Sequence, residues 1–183
     1  MMQLVRLYLR SRRGFLLAWL LPLIGLMAIT VPAYRATYPD STELEMLAGP
    51  MRANLGLRMM YGIVPEPFTF GAFAQWETGM WLALLGSVMT VLLAVRLTRA
   101  GEDDGTLELI RSSGLPTRVP TAAAATVVGI ASFLLGAGTT LALLLSRLYV
   151  EDLAVTGAIL TGAAITLTTA ASGAVGLWVA QIA

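Results

Sequence analysis

The side chains able to do polar chemistry are concentrated between Arg96 and Arg118, where four Arg and four acidic residues share 23 positions. Glu102, Asp103 and Asp104 form a run of carboxylates flanked by Gly101 and Gly105, and Glu108 follows three residues later. Such a run could in principle hold a hard cation, because Mg2+ and Ca2+ take oxygen ligands. A headgroup-transfer site of that kind needs further spaced Asp residues on the same helix, and they are missing, so no metal site is expected. The sequence has no His and no Cys. That removes His-assisted nucleophilic catalysis, thiolate metal sites and disulfides. All 12 basic residues are Arg, so the Lys of a G-x-x-x-x-G-K-[ST] phosphate loop is absent and the chain cannot build that nucleotide site. What remains for these charges is capping of a helix and complementarity to a partner.

The flanks say where this polar stretch must lie. The 18 residues from Thr78 to Val95 and the 28 from Val119 to Ser146 carry no charge. Hydrocarbon cannot hold the island between them, since desolvating one unpaired charge costs several kcal/mol. It is therefore a loop at a membrane surface. Within it, Gly105 precedes Thr106-Leu-Glu-Leu-Ile-Arg-Ser-Ser113, with carboxylates at the N-terminal end, Arg111 near the C-terminal end, and Gly114 and Pro116 as stops. Leu107, Ile110 and Leu115 fall on one side, and Glu108 and Arg111 on the other. A two-turn helix of this kind is marginal alone and needs a partner surface.

Composition agrees. Of 183 residues, 57% are hydrophobic and 13% charged, with a mean hydropathy of +0.77. The charged fraction is about half that of an ordinary soluble protein. The expected fold is an all-α integral membrane protein, a polytopic bundle of about four transmembrane helices with an N-terminal interfacial helix. A net charge of +1 gives no reason to expect a nucleic-acid partner.

Taken in order, residues 1–13 form an amphipathic stretch in which Arg6, Arg10 and Arg13 make a helical stripe opposite Met1, Leu4 and Tyr8, suited to an anionic membrane surface. Residues 14–34 are uncharged and long enough for a first span, longer than a signal peptide's apolar region and without a small-x-small site after Pro32. Pro22 should kink this span and Pro32 should end it. Residues 35–77 read as an extracytoplasmic loop. There Asp40 starts a short helix, Gly49-Pro50 and Pro65-Glu-Pro67 break it, and Phe68, Phe70, Phe73 and Trp76 gather as interface anchors, with Phe70, Phe73 and Trp76 also candidates for a substrate path. Residues 78–95, 119–146 and 153–183 read as the other spans, joined by the polar island 96–118 and an outer turn at 147–152. Eight Arg on the side of the N-terminus and the island, against four on the other, place the N-terminus in the cytoplasm.

The last two apolar segments are rich in Gly, Ala and Thr, so they should pack inside the bundle and leave the first two more exposed to lipid. No span carries an ionisable group at its middle, which argues against coupling to an ion gradient and for an external energy source. The apolar ending at Ala183 suits one part of a larger membrane domain.

The order of these pieces, together with Thr37-Tyr-Pro39, Gly49-Pro50, Phe70-Gly-Ala-Phe-Ala-Gln-Trp-Glu77, Arg99-Ala-Gly-Glu-Asp-Asp-Gly-Thr-Leu-Glu-Leu109 and Leu115-Pro-Thr-Arg118, resembles the N-terminal part of an ABC-2-type exporter permease. The wording is closest to the actinobacterial tetronasin-type antibiotic and multidrug transporter permeases, with Thr106 standing where that family commonly has Arg. The resemblance covers most of residues 1–130. It implies that the helix after Gly105 is a coupling helix seated in a separate ATPase subunit. Glu102, Asp103, Asp104, Glu108 and Arg111 would then supply charge complementarity, and Leu107, Leu109 and Ile110 the buried anchors. ATP and Mg would be bound by that ATPase and none by this chain. The other implied partners are the remaining permease half or a second permease copy, membrane lipid and a small amphipathic substrate, in a bacterial cytoplasmic membrane. Two alternatives stand beside it: a scaffold or regulatory subunit docking a cytoplasmic protein through residues 96–118, and, less favoured for want of His, Cys and buried acids, a membrane enzyme of lipid metabolism.

Overall fold

The computed structural model describes residues 1–38, 40–98, 118–150 and 153–182. Four helices are long and apolar enough to cross a membrane: Arg13–Thr37, Phe70–Thr98, Arg118–Ser146 and Val155–Gln181. Every regular element among the described residues is helical, and the chain is a polytopic helical membrane protein. In chain order the elements are α1 (Met2–Ser11), α2 (Arg13–Thr37), α3 (Ser41–Ala53), α4 (Leu55–Tyr61), α5 (Phe70–Ala74), a π turn (Gln75–Gly79), α6 (Met80–Thr98), α7 (Arg118–Ser146) and α8 (Val155–Ile182).

The amphipathic helix α1 buries Val5 and packs Leu4, Tyr8 and Leu9 against the core, while Arg6 and Arg10 stay exposed. It rests on α7. Burial pushes the Tyr8 phenol above its ordinary pKa, so it stays neutral at physiological pH. Arg12, at the joint between α1 and α2, donates from Nη2 to the Arg96 carbonyl oxygen at 3.1 Å, and the Arg96 guanidinium lies 4.7 Å from the centroid of the Phe15 ring. These contacts gather the start of α2 and the end of α6 at one end of the bundle.

Proline does not stop the chain where local rules suggest. α2 contains both Pro22 and Pro32 and runs on to Thr37. Each Pro removes one backbone hydrogen bond and crowds the preceding turn, and the apolar packing of Met27 and Val31, both fully buried, holds the helix through it. The stop comes at Tyr38, whose φ of −120° and ψ of 90° are extended. A residue before Pro is steered away from helical geometry, and Pro39 follows. α3 likewise continues past Gly49 and Pro50 to Ala53, so this pair lies within the last two turns rather than at a break. Its start is sealed by Asp40, whose Oδ1 accepts from the Thr42 amide at 3.1 Å, and α4 is capped by Asn54, which accepts from the Leu57 amide at 3.1 Å. Gly62, with a φ of 83°, ends α4 in the left-handed conformation that favours glycine.

α7 is the central helix and touches α1, α2, α6 and α8. Half of its most apolar window (50%) is buried, against 33% for both α2 and α8. The fourth span is thus no more enclosed than the first, contrary to what its small residues suggested. It uses one face for packing and leaves Leu167 and Trp178 exposed.

That face is set by two glycines. A Cβ on Gly136 would overlap Thr166 Oγ1 and the Gly162 carbonyl oxygen, and a Cβ on Gly162 would overlap Thr140 Oγ1 and the Gly136 carbonyl oxygen. The backbones of α7 and α8 meet here as only glycine permits. Thr140 adds a hydrogen bond to the Ala158 carbonyl oxygen at 3.3 Å. α6 joins on the other side. Thr90 donates to the Thr169 carbonyl oxygen at 2.8 Å, Ser172 donates to Ser87 Oγ at 2.9 Å, and a Cβ on Gly86 would stand 2.6 Å from Leu135. Each such bond contributes about 0.6 kcal/mol within a membrane.

Replacing Gly162 with Leu should therefore force α7 and α8 apart and destabilise the protein by about 2 kcal/mol or more. Gly129→Leu, on an open part of α7 where a Cβ would find no atom within 4 Å, should leave the thermal unfolding midpoint in detergent nearly unchanged. Equal effects of the two substitutions would refute the seam.

Candidate functional site

The polar segment 99–117, which holds Glu102, Asp103, Asp104, Gly105, Leu107, Glu108, Leu109, Ile110 and Arg111, lies outside the described residues. Its two anchors are described: α6 ends at Thr98 and α7 begins at Arg118. Of the basic stripe, Arg6 and Arg10 lie on α1 and Arg13 opens α2, all three exposed. The site whose geometry can be built is at the opposite end of the bundle, around Phe70, Phe73 and Trp76.

Residues 70–77 belong to the second spanning helix rather than to a loop. Thr69 caps it, accepting from the Ala72 amide at 3.2 Å. The aromatic residues then occupy its first two turns. Phe73 is buried among Tyr34, Phe68 and Trp76, with ring centroids at 4.5, 4.9 and 6.2 Å. Trp76 turns outward, donating from Nε1 to the Gly62 carbonyl oxygen at 3.4 Å and lying 5.0 Å from the Tyr61 ring. Phe70 is also buried, with the Arg35 guanidinium 5.8 Å from its ring centroid. Ring pairs at such spacing contribute about 0.5–1.5 kcal/mol each.

Phe70 reaches a pocket. Together with Phe68, Pro67, Thr69, Gly71, Val150 and Glu45 it encloses about 250 Å³. That is slightly below the ~300–1,000 Å³ typical of drug-sized ligands, and large enough for one ring or headgroup. Aromatic walls with a single carboxylate, Glu45, at the edge suit an amphipathic molecule.

Sequence reasoning missed the second feature. Tyr34 on α2 donates its hydroxyl to Glu77 Oε2, and one turn deeper Thr30 and Thr78 share a hydrogen bond at 3.2 Å. The π turn Gln75–Gly79 makes both contacts possible. In a regular α-helix Thr78 would lie about 140° round from Phe73, away from α2. The wider turn brings Phe73, Glu77 and Thr78 to one side. An ionisable group therefore does lie within a spanning helix, although near its end and half-buried. It was hidden because Tyr34 and Glu77 are far apart in the chain and because Glu77 itself marks where the uncharged window begins.

Tyr34→Phe would leave this carboxylate without its phenol donor and should cost about 1–2 kcal/mol, given its partial exposure. Glu77→Leu should cost a similar amount. A double-mutant cycle measured by thermal unfolding should return a coupling of about 1 kcal/mol; purely additive effects would show that the pair does not form.

No protein-family model matches the chain. Over 111 residues it is 35% identical to a multidrug efflux system permease protein of Mycobacterium tuberculosis. The matched stretch is 60% of this chain and 20% of that protein, so the chain spans about a fifth of the length of the curated relative it matches. What it is similar to is a part of an efflux permease, and its four apolar helices agree with that likeness.

Proposed function

We propose that this chain is part of the permease of an ATP-driven exporter of the ABC-2 type, resembling the tetronasin-type transporters. It would carry hydrophobic or amphipathic compounds such as drugs or antibiotics across a bacterial cytoplasmic membrane. The observation that carries this reading is the 35% identity to a multidrug efflux permease in a chain with four apolar helices and no phosphate-binding loop of its own. In this reading the energy comes from a separate ATPase subunit. The N-terminus and the segment 96–118 face the cytoplasm in this reading, on the strength of the Arg distribution.

The packing supports a mechanical link. Residues 96–118 connect α6 to α7, and α7 touches α1, α2, α6 and α8. A short helix in that segment, seated in an ATPase groove, would turn closure of the ATPase into tilting of α7, and α7 would carry its neighbours as rigid bodies. Leu107, Leu109 and Ile110 would be the buried anchors, while Glu102, Asp103, Asp104, Glu108 and Arg111 would set register by charge. At the far end, the Phe70 pocket and the Tyr34–Glu77 pair stand where a substrate would leave. Phe70, Phe73 and Trp76 are the candidate lining of that exit.

In the complete transporter, Glu108→Arg should lower substrate efflux by about tenfold or more, the scale of a misplaced interface charge, with the thermal stability of the spans unchanged. Wild-type efflux in that variant would count against the coupling role of the segment.

A further inference from the structure

The end of α4 borders a cleft of about 430 Å³ lined by Arg52, Arg58, Ile63, Val64, Pro65 and Glu66. One wall is apolar and the other carries two guanidinium groups against one carboxylate. Arg52 Nε lies 3.2 Å from Glu66 Oε1, while Arg58 is exposed and makes no ion pair among the described residues. The cleft therefore keeps a net positive charge.

Its depth follows from two tryptophans. Trp81 donates from Nε1 to the Tyr61 hydroxyl at 3.3 Å, and Trp76 donates to the Gly62 carbonyl oxygen at 3.4 Å. Within the helix Phe70–Thr98 the uncharged stretch 78–95 is the part suited to hydrocarbon, and Glu77 marks its edge. Trp76 then falls near the edge of the hydrocarbon and Trp81 inside it. The tip of α4 is fastened beside the span, at the depth of lipid headgroups and upper acyl chains. The side chains it exposes fit that depth: Met59 is 79% exposed and Ile63 83%, and Leu55 and Met60 are exposed as well. An unpaired Arg among exposed apolar side chains at this level needs an anion or water, and the planar guanidinium matches phosphate oxygens in a fork.

We propose that this cleft is a lipid site. It takes the headgroup phosphate of an anionic glycerophospholipid on Arg58, with Arg52 behind it, while an acyl chain lies along Ile63 and Met59. The site is independent of the transport reading, since it rests on α4, the cleft and the two tryptophans alone.

The test is to purify the natural full-length protein from vesicles of phosphatidylcholine with added phosphatidylglycerol and count retained lipids by native mass spectrometry. Arg58→Ala should lower phosphatidylglycerol retention about tenfold, and Arg58→Lys should restore part of it. Arg147→Ala, an exposed Arg in the turn after α7 at the same end of the bundle, should change nothing. Unchanged retention in Arg58→Ala would overturn the proposal, as would an equal loss in Arg147→Ala. Displacement of the bound lipid by inorganic phosphate alone would identify a simple anion site and overturn the lipid assignment. Arg58 is exposed, so its loss should leave the thermal unfolding midpoint in place and keep the lipid count interpretable.

Discussion

The bundle depends on how closely α7 and α8 approach at Gly136 and Gly162. Lipid tails are as apolar as Leu, so the hydrophobic effect that gathers a soluble core does not draw membrane helices together. Contact between backbones supplies the attraction instead. The reciprocal overlap that any Cβ would cause at these two positions shows that the seam has no slack. Once α8 is fixed on α7, Thr169 and Ser172 are presented to Thr90 and Ser87 on α6, and the third helix is placed by these hydrogen bonds together with close contacts at Gly86, Gly173 and Gly176. α2 is added through Ile24, which fills the space beside Gly138.

This core leaves the two ends free to differ. At one, Arg12 and Arg96 clasp the beginning of α2 to the end of α6, immediately beside the polar segment joining α6 to α7. At the other, the π turn widens the second span so that Phe73, Glu77 and Thr78 all meet α2. A π turn gives up regular hydrogen bonding, and such turns are often found at functional sites. Here it aims a carboxylate and an aromatic ring at the same tyrosine. Helices α3 and α4 then fold back against this end, held by the ring contact of Tyr61 with Trp76 and the bond from Trp81.

Spans could be read from the sequence because charge is the dominant cost in hydrocarbon, and the gaps between Arg, Asp and Glu fall at membrane length. Helix ends were harder. Pro32 and Gly49-Pro50 look like stops to a local rule, yet packing of Met27 and Val31 in one case and of Leu44 and Ala48 in the other carries the helix through. The small residues of α8 correctly marked a packing face, but a face covers only part of a helix, and the rest remains exposed. Of the candidate site, Phe70, Phe73 and Trp76 were visible as a cluster. Phe68 belonged to the same visible cluster, but their partners Tyr34 and Glu45 were not visible, because no spacing rule links the end of one span to the start of the next across a long connection. The π turn itself leaves no recognised pattern in Gln75-Trp-Glu-Thr-Gly79.

The central claim is that the segment between α6 and α7 hands mechanical work from an ATPase to the bundle. Its most direct test is to purify the natural protein from its own membranes in mild detergent and identify what accompanies it. An ATPase subunit should be present with the native sequence and lost when Leu107 and Glu108 are both replaced. Recovery of the protein alone, or with a partner that binds no nucleotide, would contradict the claim.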